Sequence, residues 1–223
     1  MPEAARPALI AGNLQRLAFA EACRLQVRLR DDCIASEGRR NYLLLVEHPP
    51  TITLGRSSQR GDVLASAERL AEMGVDVAET NRGGEATFHG PDQLVAYPII
   101  HLGHRGRDLH RYLRDLEAWA VGLCHSYGVP AHAESPHTGV WVEDRKIASI
   151  GIAVRRWVAY HGVALNVRTD LSYFDLIVPC GLRGVRMTSL EREMPAAPTL
   201  DEVAERAAAR FAEDFGFDGL DAD

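Results

Sequence analysis

Lysine is nearly missing from this chain: 24 of its 25 basic residues are arginine, and the one lysine is Lys146. Arginine keeps its proton under any ordinary condition, so a site that must pass protons can use lysine and cannot use arginine. GC-rich coding, which favours Arg, Ala and Gly, accounts for the scarcity equally well, although not for where the exception falls. Cysteine is sparse too. Cys23, Cys33, Cys124 and Cys180 include no CxxC pair and no accompanying histidine clamp, which argues against a structural zinc and a disulfide framework. No apolar run approaches the roughly 18–20 residues that span a bilayer. The N-terminus lacks the long apolar core of a secretion signal, so the expectation is a soluble cytoplasmic protein with no membrane partner. Excess positive charge is also absent: the formal net charge is −6, against a nucleic-acid partner.

The 223 residues, 46% of them hydrophobic, suffice for one large core. Leu14, Ala18, Ala22, Leu25, Leu29 and Cys33 recur at helical spacing and predict a first helix. Cys23 and Cys33 share it about 15 Å apart, too far for a disulfide. Strands are expected at 42–47 and 51–55 around a His48-Pro49-Pro50 turn, then a helix over 63–72 and a strand at 75–79. A polar, Gly-rich loop (81–92) leads into an apolar strand at 94–100. A long helix is expected over 108–127, then strands at 139–142, 146–154 and 157–167. Thr199, with Glu202 three residues later, marks a capping box opening a last helix to about Asp214. Strand groups interspersed with helices predict an α/β or α+β fold, in one domain covering 1–223.

Three segments carry potential chemistry. In residues 82–91, Gly83, Gly84 and Gly90 permit close backbone approach to a ligand. Arg82 and His89 bracket them with groups able to hold a carbonyl or carboxylate. The stretch is neither a Walker loop nor a dinucleotide fingerprint, and an ordinary turn-rich connection would look similar. The second segment pairs Ser149-Ile150-Gly151 with His161-Gly162-Val163-Ala164. Small residues in strands can floor a narrow slot for a slim acyl chain, or simply pack tightly. The third is Pro179-Cys180-Gly181, 34 residues beyond Lys146. A free thiol ionises near pH 8.5, and a nearby ammonium such as that of Lys146 would favour the thiolate. Isolated cysteines are nonetheless more often packing residues than nucleophiles.

In this order, RGGEATFHGPDQ (82–93), KIASIG (146–151), HGVALNV (161–167) and PCG (179–181) resemble the octanoyltransferase, or lipoate–protein ligase B, family. The likeness runs from His48-Pro49-Pro50 to Thr188-Ser189-Leu190. It implies a mixed β-sheet packed with helices, similar to the catalytic fold of biotin and lipoate protein ligases. It also implies an acyltransferase without cofactor or metal. The octanoyl donor would be octanoyl-acyl carrier protein. The acceptors would be lysines on apo lipoyl domains of 2-oxoacid dehydrogenases and on the glycine cleavage H protein. On the same resemblance Cys180 carries the acyl group as a thioester, while Lys146 lowers its pKa and moves protons. The acyl site would be lined by Arg82, Gly83, Gly84, Glu85, Ala86, Thr87, Phe88 and His89, with Ser149, Ile150, Gly151, Gly162, Val163 and Ala164.

Three positions depart from the family pattern: Phe88 for tyrosine, Asp92 for glycine and Met187 for valine. Phe88 would remove a hydroxyl from the pocket wall. Three rivals stay open on sequence: an ATP-dependent lipoate or biotin ligase, an amidotransferase of similar fold that moves octanoyl between lipoyl-bearing proteins, and a non-catalytic acyl-binding or partner-binding module. Acidic partner proteins would call for a basic patch, with Arg105, Arg107, Arg111 and Arg114 one candidate and Arg155 with Arg156 another.

Overall fold

The computed structural model describes residues 8–59, 61–179, 184–217 and 221–222. In chain order the strands are β1 (Ala8–Arg16), β2 (Arg40–Glu47), β3 (Thr51–Leu54), β4 (Asp76–Glu79), β5 (Ala86–His89), β6 (Gln93–His101), β7 (His132–Ala133), β8 (Val140–Val142), β9 (Arg145–Arg155), β10 (Val158–Asn166), β11 (Arg186–Met187) and β12 (Asp221–Ala222). The helices are α1 (Phe19–Ala35), α2 (Ala67–Glu72), α3 (Leu109–His125), α4 (Leu190–Glu193) and α5 (Leu200–Asp214). The large sheet has the order β12-β1-β2-β6-β10-β9-β8-β7, with β11 parallel to β9; a small sheet runs β4-β3-β5.

Alternation builds the layers of the large sheet. Tyr42, Leu44 and Val46 on β2, with Val95, Tyr97 and Ile99 on β6, point toward α1. Leu43, Leu45, Leu94, Ala96 and Ile100 point the other way, onto α3 and α5. The Trp119 indole N–H donates to the Ala207 carbonyl (3.3 Å) and joins those two helices. The capping box is present: Thr199 accepts from the Glu202 N–H, and the Glu202 carboxylate accepts from the Thr199 N–H. A third core lies under the small sheet, where Ile52, Ala86 and Phe88 meet Leu171, Phe174 and Ile177. No helix among the described residues is long and apolar enough to cross a membrane.

The structure corrects three local expectations. Leu14 belongs to β1, which pairs parallel with β2, and the helix begins only at Phe19; Leu14 and Ala18 fit a helical repeat by spacing alone. The strands expected around the Pro49-Pro50 turn are present as β2 and β3, which lie in different sheets. The second helix is confined to Ala67–Glu72, behind the N-cap Ser66. The Gly-rich segment 81–92 is not all loop: it contains β5, fully buried. Gly162 sits where β10 crowds β6, and a Cβ there would lie 2.2 Å from the Ala96 carbonyl oxygen. Gly162→Ala should lower stability by about 1–3 kcal/mol through overpacking, read as a reduced urea midpoint with unchanged m-value.

Candidate functional site

A narrow cavity lies between the two sheets. Its walls are Phe19 at the start of α1, Thr87 and His89 on β5, Val95 and Tyr97 on β6, residues 149–151 of β9 and 161–164 of β10. Its empty volume, including open solvent at its mouth, is about 470 Å³. The segment Arg82–Glu85 crosses over β9 and seals one side. The Gly83 N–H donates to the Ile152 carbonyl (2.8 Å), and a Cβ on Gly151 would lie 2.8 Å from the Gly83 carbonyl oxygen. Glycine at 151 is therefore what lets the crossing segment touch the strand.

The polar side chains around this cavity spend their donors on its walls. Arg82 Nη2 donates to the Thr53 carbonyl (2.8 Å), the Thr53 hydroxyl (2.9 Å) and the Glu85 carbonyl (2.8 Å), so the guanidinium latches the crossing segment to β3. Tyr97 donates its hydroxyl proton to His48 Nε2 (2.8 Å), and His48 Nδ1 donates to the Leu17 carbonyl (2.6 Å). His161 Nε2 donates to Asn81 Oδ1 (2.9 Å), because the Asn81 amide nitrogen is committed to the Tyr160 hydroxyl. With those donors used inward, the cavity is lined largely by aliphatic carbon and ring faces. Thr87 Oγ1 is an exception, buried without a hydrogen-bond partner.

A one-directional hydrogen-bond chain leads away from the cavity. Asn166 Nδ2 donates to the Thr188 carbonyl (2.9 Å), so its Oδ1 accepts from Gln93 Nε2 (2.9 Å). Gln93 Oε1 in turn accepts from His89 Nδ1 (2.9 Å), which fixes the imidazole tautomer. The chain ends beside Lys146, whose carbonyl accepts from the Thr188 N–H (2.9 Å). Burial pushes His48 below the usual imidazole range and His89 well below it. Burial, helped by the Arg82 charge, lowers His161 to about 4. All three rings are neutral at pH 7.

Lys146 is 1% exposed. Its Nζ donates to the Thr138 carbonyl (3.2 Å) and lies 5.4 Å from the centre of the Trp141 ring. Gly139 leaves it room: a Cβ there would sit 2.6 Å from Lys146 Cε. The segment that bears Thr138 is clamped from α3, because the buried Glu117 accepts the Gly139 N–H through Oε1 (3.0 Å). Arg114 Nη1 stands 2.8 Å from the other carboxylate oxygen. Lys146 lines not the inner cavity but a wider groove outside it; the two spaces share Gly84, Glu85, Ile150 and Gly151.

Of the residues expected around an acyl site, Arg82, Gly84, Glu85, Thr87 and His89 line the inner cavity, as do Ser149, Ile150, Gly151, Gly162, Val163 and Ala164. Gly83 lines the outer groove. Ala86 and Phe88 occupy the opposite face of β5, where Phe88 stacks on Tyr173 at 4.7 Å. The hydroxyl absent at Phe88 is thus absent from a core and not from this cavity. Asp92 adopts φ +57°, the left-handed region in which glycine is at ease and aspartate is tolerated. Cys180 lies outside the described residues, as does Gly181. Sequence reasoning passed over Phe19, Val95 and Tyr97. The alternation of β6 could have offered Val95 and Tyr97 as one face, but nothing local tied that face to β5.

The arginine clusters are engaged to different degrees. Arg105 donates to the Phe215 carbonyl (3.1 Å), stacks on the Phe215 ring and pairs with Asp115. Arg107 lies over Trp157. Arg155 and Arg156 border a shallow depression at the β9–β10 turn.

Over residues 18–212 the chain matches the lipoyl protein ligase A/B catalytic domain. It is 46% identical to an octanoyltransferase of Citrifermentans bemidjiense, over 87% of this chain and 91% of that relative. With an octanoyltransferase of Geobacter sulfurreducens the identity is 48%, over 90% and 82%. Lipoate-protein ligase A bound with ATP superposes with a TM-score of 0.75 at 17% identity, covering 98% of this chain and 89% of the other. A bi-partite lipoate protein ligase from Thermoplasma acidophilum gives 0.72 at 16%, over 98% and 88%. A biotin protein ligase from Aquifex aeolicus with biotin and ATP gives 0.55 at 12%, over 94% and 70%. Structural likeness at such identities speaks for the fold alone.

Two outcomes follow from the geometry. Unfolded imidazoles take up protons near pH 6.5 while the buried ones resist, so stability should fall as pH drops from about 6.5 toward 4. Each buried ring contributes up to about 1.4 kcal/mol per pH unit. The paired carboxylates of Asp32, Glu47 and Glu193, held below their usual range, add to this only below about pH 4.5. His161→Asn, which tolerates the φ of +59° at that position, should flatten the pH 5–6.5 part of the curve in urea titrations. An unchanged slope would contradict the burial argument. Glu117→Leu should orphan the Gly139 N–H and cost about 1–3 kcal/mol, whereas Glu117→Gln, which keeps an acceptor there, should cost less.

Proposed function

Because the chain belongs to the octanoyltransferases of the lipoyl protein ligase A/B family, and so is an acyltransferase of protein lipoylation, we propose that it takes octanoyl from an acyl carrier protein thioester and delivers it to one lysine of a lipoyl domain. The observation that carries the reading is a solitary, buried lysine on a groove that adjoins a smaller, largely carbon-lined cavity through Gly84, Glu85, Ile150 and Gly151. In this reading the tail lies inward and the bond to be exchanged lies beside an amine.

Cys180 is the nucleophile in this reading. Three observations support it. The described cysteines are poor candidates: burial raises Cys23 to about 11, and Cys33 and Cys124 to about 12. Upstream of Cys180, Val178 donates its N–H to the Asp62 carbonyl (2.8 Å). Downstream, Met187 stands in register with Lys146 on β9.

The chemistry balances without a nucleotide. Lys146 Nζ takes the Cys180 proton, and the thiolate attacks the carrier thioester. The carrier's sulfur leaves with the proton that Lys146 returns, and octanoyl remains on Cys180. In the second half the acceptor lysine, having lost one proton to solvent, attacks the Cys180 thioester as a free amine. Lys146 takes the surplus proton from the new amide nitrogen and passes it to the departing Cys180 sulfur. Thioester exchange is nearly isoergic and amide formation is downhill, so the sequence runs forward. One amine that can both accept and donate serves each half.

Incubating the protein with octanoyl-carrier and an apo lipoyl domain, without nucleotide, should add one octanoyl mass to the lipoyl domain. With the carrier alone, a hydroxylamine-labile octanoyl adduct should map to Cys180. Lys146→Arg keeps the charge but holds its proton and should lose most turnover; near-normal turnover would remove proton transfer from Lys146. Undiminished transfer by Cys180→Ser would dismiss the thioester route, and an absolute requirement for ATP would favour a ligase.

A further inference from the structure

We propose that the outer groove beside Lys146 is the seat of the donor's phosphopantetheine arm, with Arg56 at its rim holding the phosphodiester at the far end of that arm. This rests on the acyl-transfer reading above and assigns the part of the site that the acyl chain leaves empty. The inner cavity and the groove meet at Gly84, Glu85, Ile150 and Gly151, and Lys146 faces only the groove. A carbonyl placed for reaction near Lys146 therefore sends its tail inward and its sulfur, with everything attached to the sulfur, outward. The groove is the larger space, with an empty volume of about 1440 Å³ including its open side, against about 470 Å³ within.

The groove has two kinds of surface, and the arm has two matching kinds of group. Ile150, Ile152 and Val154 alternate along β9, and Leu109 and Leu113 line the same groove from α3. Leu109 is one of the few large apolar side chains left exposed, at 37%. These five present carbon to the methylenes and the gem-dimethyl group of a pantetheine. At the rim, the Arg56 N–H donates to the Arg82 carbonyl (3.0 Å), which ties its backbone to the crossing segment. The Arg56 side chain is exposed and forms no ion pair among the described residues. An unspent, exposed guanidinium lining the same groove suits a phosphodiester, for which arginine has the matching donor fork. Glu85 contributes one opposing carboxylate at the junction with the inner cavity. An acceptor lysine, which carries no anion, would gain nothing from Arg56, so the arm is the better occupant.

The test compares two small donors, octanoyl-pantetheine and octanoyl-4′-phosphopantetheine, in acylation of the wild-type protein and of Arg56→Ala. In the wild type the phosphorylated donor should show a kcat/KM about tenfold higher, equivalent to one charge-assisted contact, and Arg56→Ala should erase the difference while leaving octanoyl-pantetheine unaffected. Leu109→Trp, which fills the groove from its exposed side, should slow both donors alike. Equal kcat/KM for the two donors in the wild type, or a phosphate preference that persists in Arg56→Ala, would overturn the assignment. Should neither small donor acylate the protein, the octanoyl-carrier provides the readout: Arg56→Ala must raise its KM, and an unchanged KM overturns the proposal. Failure of the wild type to become acylated by octanoyl-carrier would instead reject the acyl-transfer reading itself.

Discussion

A lysine held almost entirely out of water, against one carbonyl oxygen and one indole face, is the constraint to which the surrounding structure answers. Burying an amine of this kind is costly unless its hydrogen-bonding capacity is met, and here the Thr138 carbonyl and the Trp141 ring meet part of it. Those partners must themselves be fixed. Glu117 reaches from α3 to clamp the Gly139 N–H, and Thr188 hydrogen-bonds to the lysine's own carbonyl. A sheet strand, a helix and a return strand thus converge on one side chain. Arginine, with its fixed charge, would not exchange a proton.

The second organising feature is the crossing of the segment Arg82–Glu85 over β9. It turns a sheet face into a walled slot, and it works only because Gly151 offers no side chain beneath it and Arg82 is latched to β3 from behind. The same crossing divides inner cavity from outer groove, so one glycine contact helps define both the place for a tail and the place for what the tail is attached to. Three neutral histidines surround the slot without charging it. Their protons are committed to Leu17, Gln93 and Asn81, which keeps the lining hospitable to hydrocarbon despite its polar residue names.

How much of this was legible beforehand depended on whether the cause was local. Thr199 and Glu202 announced their helix because a capping box is complete within four residues. Strand groups interspersed with helices made an α/β or α+β fold legible, the mixed sheet itself came only with the family resemblance, and Lys146 stood out by composition alone. Leu14 misled because a strand residue happened to sit four positions before Ala18. The small sheet was hidden because β5 is only four residues long and flanked by glycines, so its alternation could not be seen until β3 lay beside it. That pairing sends Thr87 and His89 to the cavity and Ala86 and Phe88 to the core. Phe19 and Tyr97 reach the cavity only through the docking of α1 and the placement of the two sheets, which no short motif encodes.

The most direct measurement of the central claim is the rate at which Cys180 is alkylated by iodoacetamide as pH is varied, followed by peptide mass, in the wild type and in Lys146→Met. If Lys146 and Cys180 act as a pair, the wild-type thiol should react at pH values where an ordinary cysteine is inert, and Lys146→Met should return its profile to that of a free thiol near pH 8.5. Identical profiles in the two proteins would contradict the account at its root.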